Sequence, residues 1–192
     1  MIKINLPVDE QTIRKLKVGD EVSLNGVMVT GRDTAHTWML HDKPDEIREV
    51  LKDSVIYHCG PVVKKHGDEW EFVAAGPTTS IREEPYQGDV IKEYQIRGVM
   101  GKGGMGPKTL AALKENGSVY FHAVGGAATL LGQAVTKVRD VIKLDEFGVP
   151  EAMWIIEVEN FQAVVTMDSH GNSLHQVIKD QSTKVAEALI NQ

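Results

Sequence analysis

Three short stretches of this 192-residue chain each set a cation beside glycine or hydroxyl residues. "VTGRDTAH" (29–36) puts Arg32 between an apolar run and a helical pattern. "AAGPTTSIREEPY" (74–86) offers Thr78, Thr79, Ser80 and Arg82. "VMGKGGMGPKTLAALKENG" (99–117) sets Lys102 among glycines, ahead of a helix that Pro107 opens and Gly117 closes. Arginine forks bind carboxylates through paired hydrogen bonds, and lysine adds a compact charge. Glycine lets backbone approach a ligand, and the free N–H groups of a helix start favour anions. Two arginines and a lysine suit a small molecule with two carboxylates, provided the loops converge. Each group also has an ordinary reading when taken alone. Arg32 then pairs with Asp33 or a nearby glutamate, Thr78, Thr79 and Ser80 are turn and capping residues, and Arg82 pairs with its glutamate neighbours on the surface.

Gly101, Gly103 and Gly106 also satisfy the G-x-G-x-x-G dinucleotide pattern. That fold needs an acidic residue ~20 positions on, at the end of the next strand, to hold the ribose. Here the next strand, "SVYFHAVGG", ends in His122, Ala123 and Val124. A P-loop places its lysine after the glycines and before Ser or Thr, whereas Lys102 lies inside the glycine run. The nucleotide reading therefore fails, which leaves either an anion site at the helix start with Lys102 beside it or a tight strand-to-helix turn with Lys102 solvated.

A net charge of −6, with 42% hydrophobic and 25% charged residues, is that of a soluble globular protein and implies no broad face for nucleic acid. No stretch approaches the ~20 apolar residues of a membrane span, and "MIKINLPVDE" lacks a signal-peptide layout, so a cytoplasmic location is expected. Cys59 is the only cysteine, which excludes an internal disulfide and means that this chain alone cannot ligate an iron–sulfur cluster.

The elements that must position these residues are mixed along the chain. "DEVSLNGVMVTGRD" alternates around Asn25-Gly26 and reads as a hairpin. "TAHTWMLHDKPDEIREVLKD" reads as two helical segments broken at Pro44. "SVIYHCGPVV" and "EWEFVAAGPTTS" read as strands joined by "KKHGD", "GDVIKEYQ" as a short helix, and "IRGVM" and "SVYFHAV" as buried strands. "GGAATLLGQAV" reads as a small-residue helix, "AMWIIEVENFQAVVTMD" as two strands, and "SLHQVIKDQSTKVAEALINQ" as an amphipathic helix. The class is α/β or α+β with a mixed sheet, in one domain over residues 1–192, and a layered β/β/α arrangement fits better than a regular doubly wound sheet.

The motifs "TGRDTAH", "HCGP", "AGPTTSIR" and "GKGGM", with "VGGAA" (124–128) and "EFGVPEAMWIIEVENFQAVVTMDSHGNSLH" (146–175), occur in an order and at intervals that resemble the β subunit of class I fumarases and L-tartrate dehydratases. The resemblance runs from about residue 5 to residue 175. It implies a swivelling β/β/α domain that closes over a [4Fe–4S] cluster ligated by a separate α subunit, which supplies three cysteines, within a hetero-oligomer. It implies reversible hydration of fumarate to L-malate, or the related reaction of tartrate or a methyl-substituted dicarboxylate. It also implies that Arg32, Arg82 and Lys102 bind the carboxylates and that Thr78 is the base, with Lys102 beside it at the reacting end. A non-catalytic dicarboxylate-binding module is the alternative from another class. After the arginine of "GPTTSIR" the family commonly has methionine, where this chain has Glu83-Glu84. Glu83 is expected to face out of the turn, since inward it opposes a dianion.

Weaker expectations attach to other residues. His58 lines the pocket, faces a subunit interface, or is a satisfied structural histidine, and Cys59 is a small buried residue. His36/His41 and His170/His175 have five-residue spacings that favour no metal site. Trp38, Trp70 and Trp154 belong to the core or an interface.

Overall fold

The computed structural model describes residues 1–190. The chain runs β1 (Ile2–Leu6), α1 (Glu10–Ile13), β2 (Glu21–Thr30), α2 (Asp33–Asp42), α3 (Arg48–Leu51), β3 (Val55–Tyr57), β4 (Val62–His66) and β5 (Glu69–Ala74). It continues with α4 (Glu84–Tyr94), β6 (Gly98–Gly101), α5 (Pro107–Asn116), β7 (Val119–His122), α6 (Ala128–Gln133), β8 (Val135–Ile142), α7 (Leu144–Phe147), β9 (Met153–Met167) and α8 (Leu174–Ile190). The result is a mixed α/β fold.

Strands β1, β2, β3, β6 and β7 pair in parallel, each with the next in that order. The long strand β9 then runs antiparallel to β7, β8 and β2. Because β9 pairs with both β7 and β2, the sheet curls until its pairings close. Side-chain alternation sorts the apolar residues to two sides of that sheet. Met28, Val55, Tyr57, Met100 and Phe121 enter one buried cluster with Trp154 and Phe161, while their neighbours Val29, Ile56, Val99 and Tyr120 enter a second with Met39, Leu51, Val90 and Leu113 of the helices. The hairpin β4–β5 covers the first cluster, where Trp70 and Phe72 meet Trp154 edge to face. Trp154 is thus a core residue, and Trp38 and Trp70 pack half-buried against the two clusters.

Three expectations are corrected. Asn25-Gly26 is not a hairpin turn but a bulge within the single strand β2, whose two halves are claimed by β1, β3 and β9 instead of by each other. Asn25 Oδ1 accepts a hydrogen bond of 2.9 Å from Asn160 N, so an irregularity in β9 faces the one in β2. "AMWIIEVENFQAVVTMD" is one strand, because its first half pairs with β8 and its second with β7 while β2 spans both. "SVIYHCGPVV" is two strands, since the chain leaves the sheet after Tyr57 and re-enters a strand at Val62. Strand β8 escapes sequence reading because two bulges break its period of two.

Gly26 has φ +112°, and a Cβ there runs into the carbonyl oxygen of Leu6. Gly26→Ala is expected to cost about 2–4 kcal/mol, from backbone strain plus overpacking against rigid backbone. Urea unfolding of the two chains checks this.

Candidate functional site

The parallel strands β2, β3, β6 and β7 end side by side, at Thr30, Tyr57, Gly101 and His122. Ligands in open α/β sheets sit outside such carboxyl ends. The residues that follow are Arg32, His58, Lys102 and the "VGG" turn, so the candidate residues gather where the topology favours a site.

Backbone bonds then weave in the segment after β5. Thr78 N donates to His58 O (2.8 Å), Lys102 N to Thr78 O (3.1 Å) and Ser80 N to Lys102 O (3.0 Å). Thr79 therefore forms an isolated parallel bridge with Lys102, which lays the backbone of residues 78–80 alongside that of Lys102. A Cβ on Gly101 runs into Ser80 Oγ, so this close approach needs a glycine. Gly103 and Gly104, at φ +83° and +77°, turn the chain away immediately after Lys102.

The two arginines meet through adjacent residues. Arg32 Nη2 lies 3.3 Å from Glu151 Oε1, and Arg82 pairs with Asp33, the next residue after Arg32. Glu151 also accepts from Thr34 N at the start of α2 (3.1 Å). Part-exposed pairs of this kind contribute little to stability, so a ligand carboxylate can replace them. The Lys102 ammonium has no ion pair among the described residues. Thr78 Oγ1 is buried with no hydrogen-bond partner. The structure thus brings Arg32, Thr78, Arg82 and Lys102 to one edge of the sheet, with one hydroxyl and one ammonium uncommitted.

The glutamates after Arg82 differ from expectation. Glu83 points inward and is only 2% exposed. Residues Ser80–Glu83 form a 3-10 turn, in which positions three apart share a face. Ser80 is buried against His58 and Tyr120, so Glu83 follows it inside. Its Oε2 lies 3.8 Å from His36 Nδ1 and accepts no hydrogen bond. Burial pushes the Glu83 carboxyl up to about 7; Arg82 and Arg32 oppose that rise and Glu151 reinforces it.

Glu84 takes the start of α5. Its carboxylate accepts from Gly106 N (2.8 Å), Lys108 N (2.9 Å), Thr109 N (3.2 Å) and Thr109 Oγ1 (2.7 Å). The glycine-loop helix does cradle a carboxylate, but the carboxylate is the chain's own. The α5 start is thus taken by Glu84, and the Lys102 ammonium is the cation of this loop that is left without an ion pair among the described residues. Sequence reading also missed Asp33 and Glu151 as partners of the arginines. Nothing local marks Glu151, which reaches Arg32 across 119 positions.

The raised carboxyl of Glu83 gives a stability prediction with a definite sign. Its native value near 7 exceeds the unfolded value of 4.5, so the native state binds the proton more tightly. Stability is full below pH 4.5 and falls as pH rises through 7. Glu83→Gln removes that loss and is expected to stabilise the chain above pH 7 by up to about 3 kcal/mol, with no gain at pH 4. Thermal unfolding at the two pH values checks it.

The family model described as Fumarase C-terminus matches residues 1–178. The chain belongs to that family. It is 55% identical over 184 residues to a protein of Geobacillus stearothermophilus named putative fumarate hydratase class I, a match that covers 95% of this chain and 35% of that protein. It is 43% identical over 183 residues to the putative L(+)-tartrate dehydratase subunit beta of Methanocaldococcus jannaschii, covering 94% of this chain and 92% of the relative. With the L(+)-tartrate dehydratase subunit beta of Escherichia coli K12 it shares 35% over 172 residues, covering 89% and 85%. This fumarase C-terminal chain therefore spans about a third of the first relative and most of the two β subunits.

The iron–sulfur cluster implied by the sequence resemblance bears on which of the chain's own side chains could ligate it. Cys59 is fully buried, and burial pushes its thiol up to about 12, opposite to what a thiolate ligand needs. Among the described residues no group of three His, Cys, Asp or Glu side chains is placed to hold a metal. These residues do not fit a cluster. His36 is buried while His41 is exposed, and His170 and His175 bond to Arg14 O and Thr166 Oγ1, respectively. No helix among the described residues is long and apolar enough to cross a membrane.

Proposed function

We propose that this chain is the β subunit of a hydro-lyase and that it supplies the substrate-binding face for a small C4 dicarboxylate, fumarate or tartrate. The observation that carries this is that Arg32, Arg82, the unpaired Lys102 and a buried, partnerless Thr78 hydroxyl all lie on segments gathered at the carboxyl ends of the parallel strands. The names of the relatives support it: one is a fumarate hydratase, and two are tartrate dehydratase β subunits.

In this reading Arg32 and Arg82 exchange Glu151 and Asp33 for one carboxylate of the substrate, and Lys102 takes the other. Thr78 Oγ1 exchanges a proton with the carbon next to one carboxylate. That step gathers negative charge on the carboxylate, and a fixed cation there stabilises the transition state more than the bound substrate. Lys102, held beside Thr78 through the backbone, is that cation and also favours the ionised threonine oxygen. In the dehydration direction the C–O bond of the neighbouring carbon breaks, and the hydroxide that departs and the proton taken up by Thr78 together make one water; hydration is the reverse. A [4Fe–4S] cluster would be held by a separate α subunit with three cysteines, as the sequence resemblance implies, and among the described residues this chain has no group of side chains that suits one. The assembly is a soluble cytoplasmic hetero-oligomer.

Anaerobic purification of the chain with whatever accompanies it, followed by assays for iron, sulfide, fumarate and L-tartrate, tests this reading. A cysteine-bearing partner with bound iron and loss of either substrate is the expected result. A chain that purifies alone, binds a dicarboxylate and turns over neither substrate overturns it in favour of a binding module.

A further inference from the structure

Beneath the arginine and threonine loops runs a buried polar chain that the reaction described above does not use. Gln87 of α4, fully buried, sets its Oε1 2.9 Å from His36 Nε2 and 2.7 Å from His58 Nε2. His36 Nδ1 lies 2.8 Å from the carbonyl oxygen of Arg32. His58 Nδ1 lies 2.8 Å from Ser80 Oγ, which also accepts from the Tyr120 hydroxyl (2.8 Å). The two imidazoles meet edge to face at 5.2 Å. One side-chain amide thus ties the loop that carries Arg32 to the strand segment that carries Thr78.

This arrangement costs more than an apolar core of the same shape. Gln87 Nε2 has no partner, nor has Glu83 Oε2 beside His36, and buried polar atoms left unpaired each cost about 1–3 kcal/mol. The return is geometric. His36 and Arg32 share the start of α2, while His58 O receives the Thr78 N–H and Ser80 returns to Lys102. Without Gln87, no other side chain among the described residues hydrogen-bonds to both imidazoles.

We propose that Gln87 is a positioning residue of the hydro-lyase site, its single amide holding His36 and His58 so that the Arg32 loop and the Thr78–Lys102 pair stay in register. This rests on the hydro-lyase reading. Polar atoms of reacting groups must be held within fractions of an ångström, and misplacement by about 1 Å costs on the order of 100-fold in rate. The groups facing the two imidazoles are Glu83, the Arg32 carbonyl, Ser80 and Tyr120, with Arg82 and Glu151 nearby. Burial lowers both imidazoles, His58 to about 3.

The test uses the chain with its partner subunit and three versions of position 87. Gln87→Met keeps the volume and loses the amide, and kcat is expected to fall about 10- to 100-fold with a smaller change in KM. Gln87→Glu keeps an acceptor for both imidazoles and adds a charge that favours their protonated forms. It is expected to restore part of kcat and to move the pH profile of kcat/KM, which a mere space-filling role does not do. In parallel, nitrogen NMR of the wild-type chain reads His58 without any substitution, and it is expected to stay neutral from pH 5 to 8. A Gln87→Met enzyme with wild-type kcat, or a His58 that titrates near 6.5, overturns the proposal. A wild-type complex inert to fumarate and to tartrate overturns the hydro-lyase reading itself, and the two failures are told apart by that control.

Discussion

Arg82→Met is expected to lower kcat/KM for the dicarboxylate by about 10²–10³-fold while leaving the melting temperature nearly unchanged. Two separate effects make the loss large. The substitution removes a charge-assisted fork from a carboxylate, and truncating one member of such a pair costs about 2–5 kcal/mol. It also frees Asp33, whose carboxylate pairs with Arg82 and whose Oδ1 is already buried without a partner. An unpaired aspartate at that point repels an incoming dianion. Stability is spared because the arginine side chain is 54% exposed, and pairs at such sites contribute little. Steady-state kinetics of the assembled enzyme, with thermal unfolding of the same preparation, checks both halves. Near-normal turnover removes Arg82 from the site.

Thr78→Val is expected to divide activity and stability in opposite directions. General acid–base groups contribute about 10²–10⁴-fold, so kcat is expected to fall by that factor with little change in KM. The fold loses nothing, because Thr78 Oγ1 makes no hydrogen bond and valine has the same shape. Replacing a buried, partnerless hydroxyl by a methyl group relieves a desolvation cost of about 1 kcal/mol or more. A hydroxyl kept for structure predicts the reverse pattern, a less stable chain with ordinary turnover. Kinetics and urea unfolding of one purified variant separate the two.

Much of this site was legible in the sequence because its parts are local. Pro107 and Gly117 bracket α5 as expected, with Gly117 left-handed at φ +63°. The break at Pro44 and the two strands within "IRGVM" and "SVYFHAV" follow from composition and periodicity, with ends that the structure sets at Gly98–Gly101 and Val119–His122. The ordinary reading of Arg32 and Arg82 as ion-paired side chains holds only with other partners, since Arg32 pairs with the distant Glu151 and Arg82 with Asp33 rather than with its own glutamate neighbours. The motifs carried the family, and the family model over residues 1–178 agrees.

What escaped depends on partners far along the chain. The bulge at Gly26 is set by Leu6 and Asn160, and the unbroken run of β9 by three different strands. The direction of Glu83 follows from the burial of Ser80, which itself depends on His58 and Tyr120. Glu84 looked like one of a surface pair, yet it caps a helix that begins 23 residues later. None of these links has a local periodicity to betray it. The buried histidine–glutamine chain was invisible for the same reason, since His36, His58 and Gln87 are spread over 52 positions.

The central claim is that four side chains at one sheet edge hold the substrate, and locating a bound dicarboxylate tests it most directly. The measurement is a crystal structure of the chain with its partner subunit and a non-reacting dicarboxylate. One carboxylate is expected on Arg32 and Arg82, the other on Lys102, and the carbon beside it within reach of Thr78 Oγ1. A dicarboxylate seated away from these residues, with Asp33 and Glu151 still holding the arginines, contradicts the account.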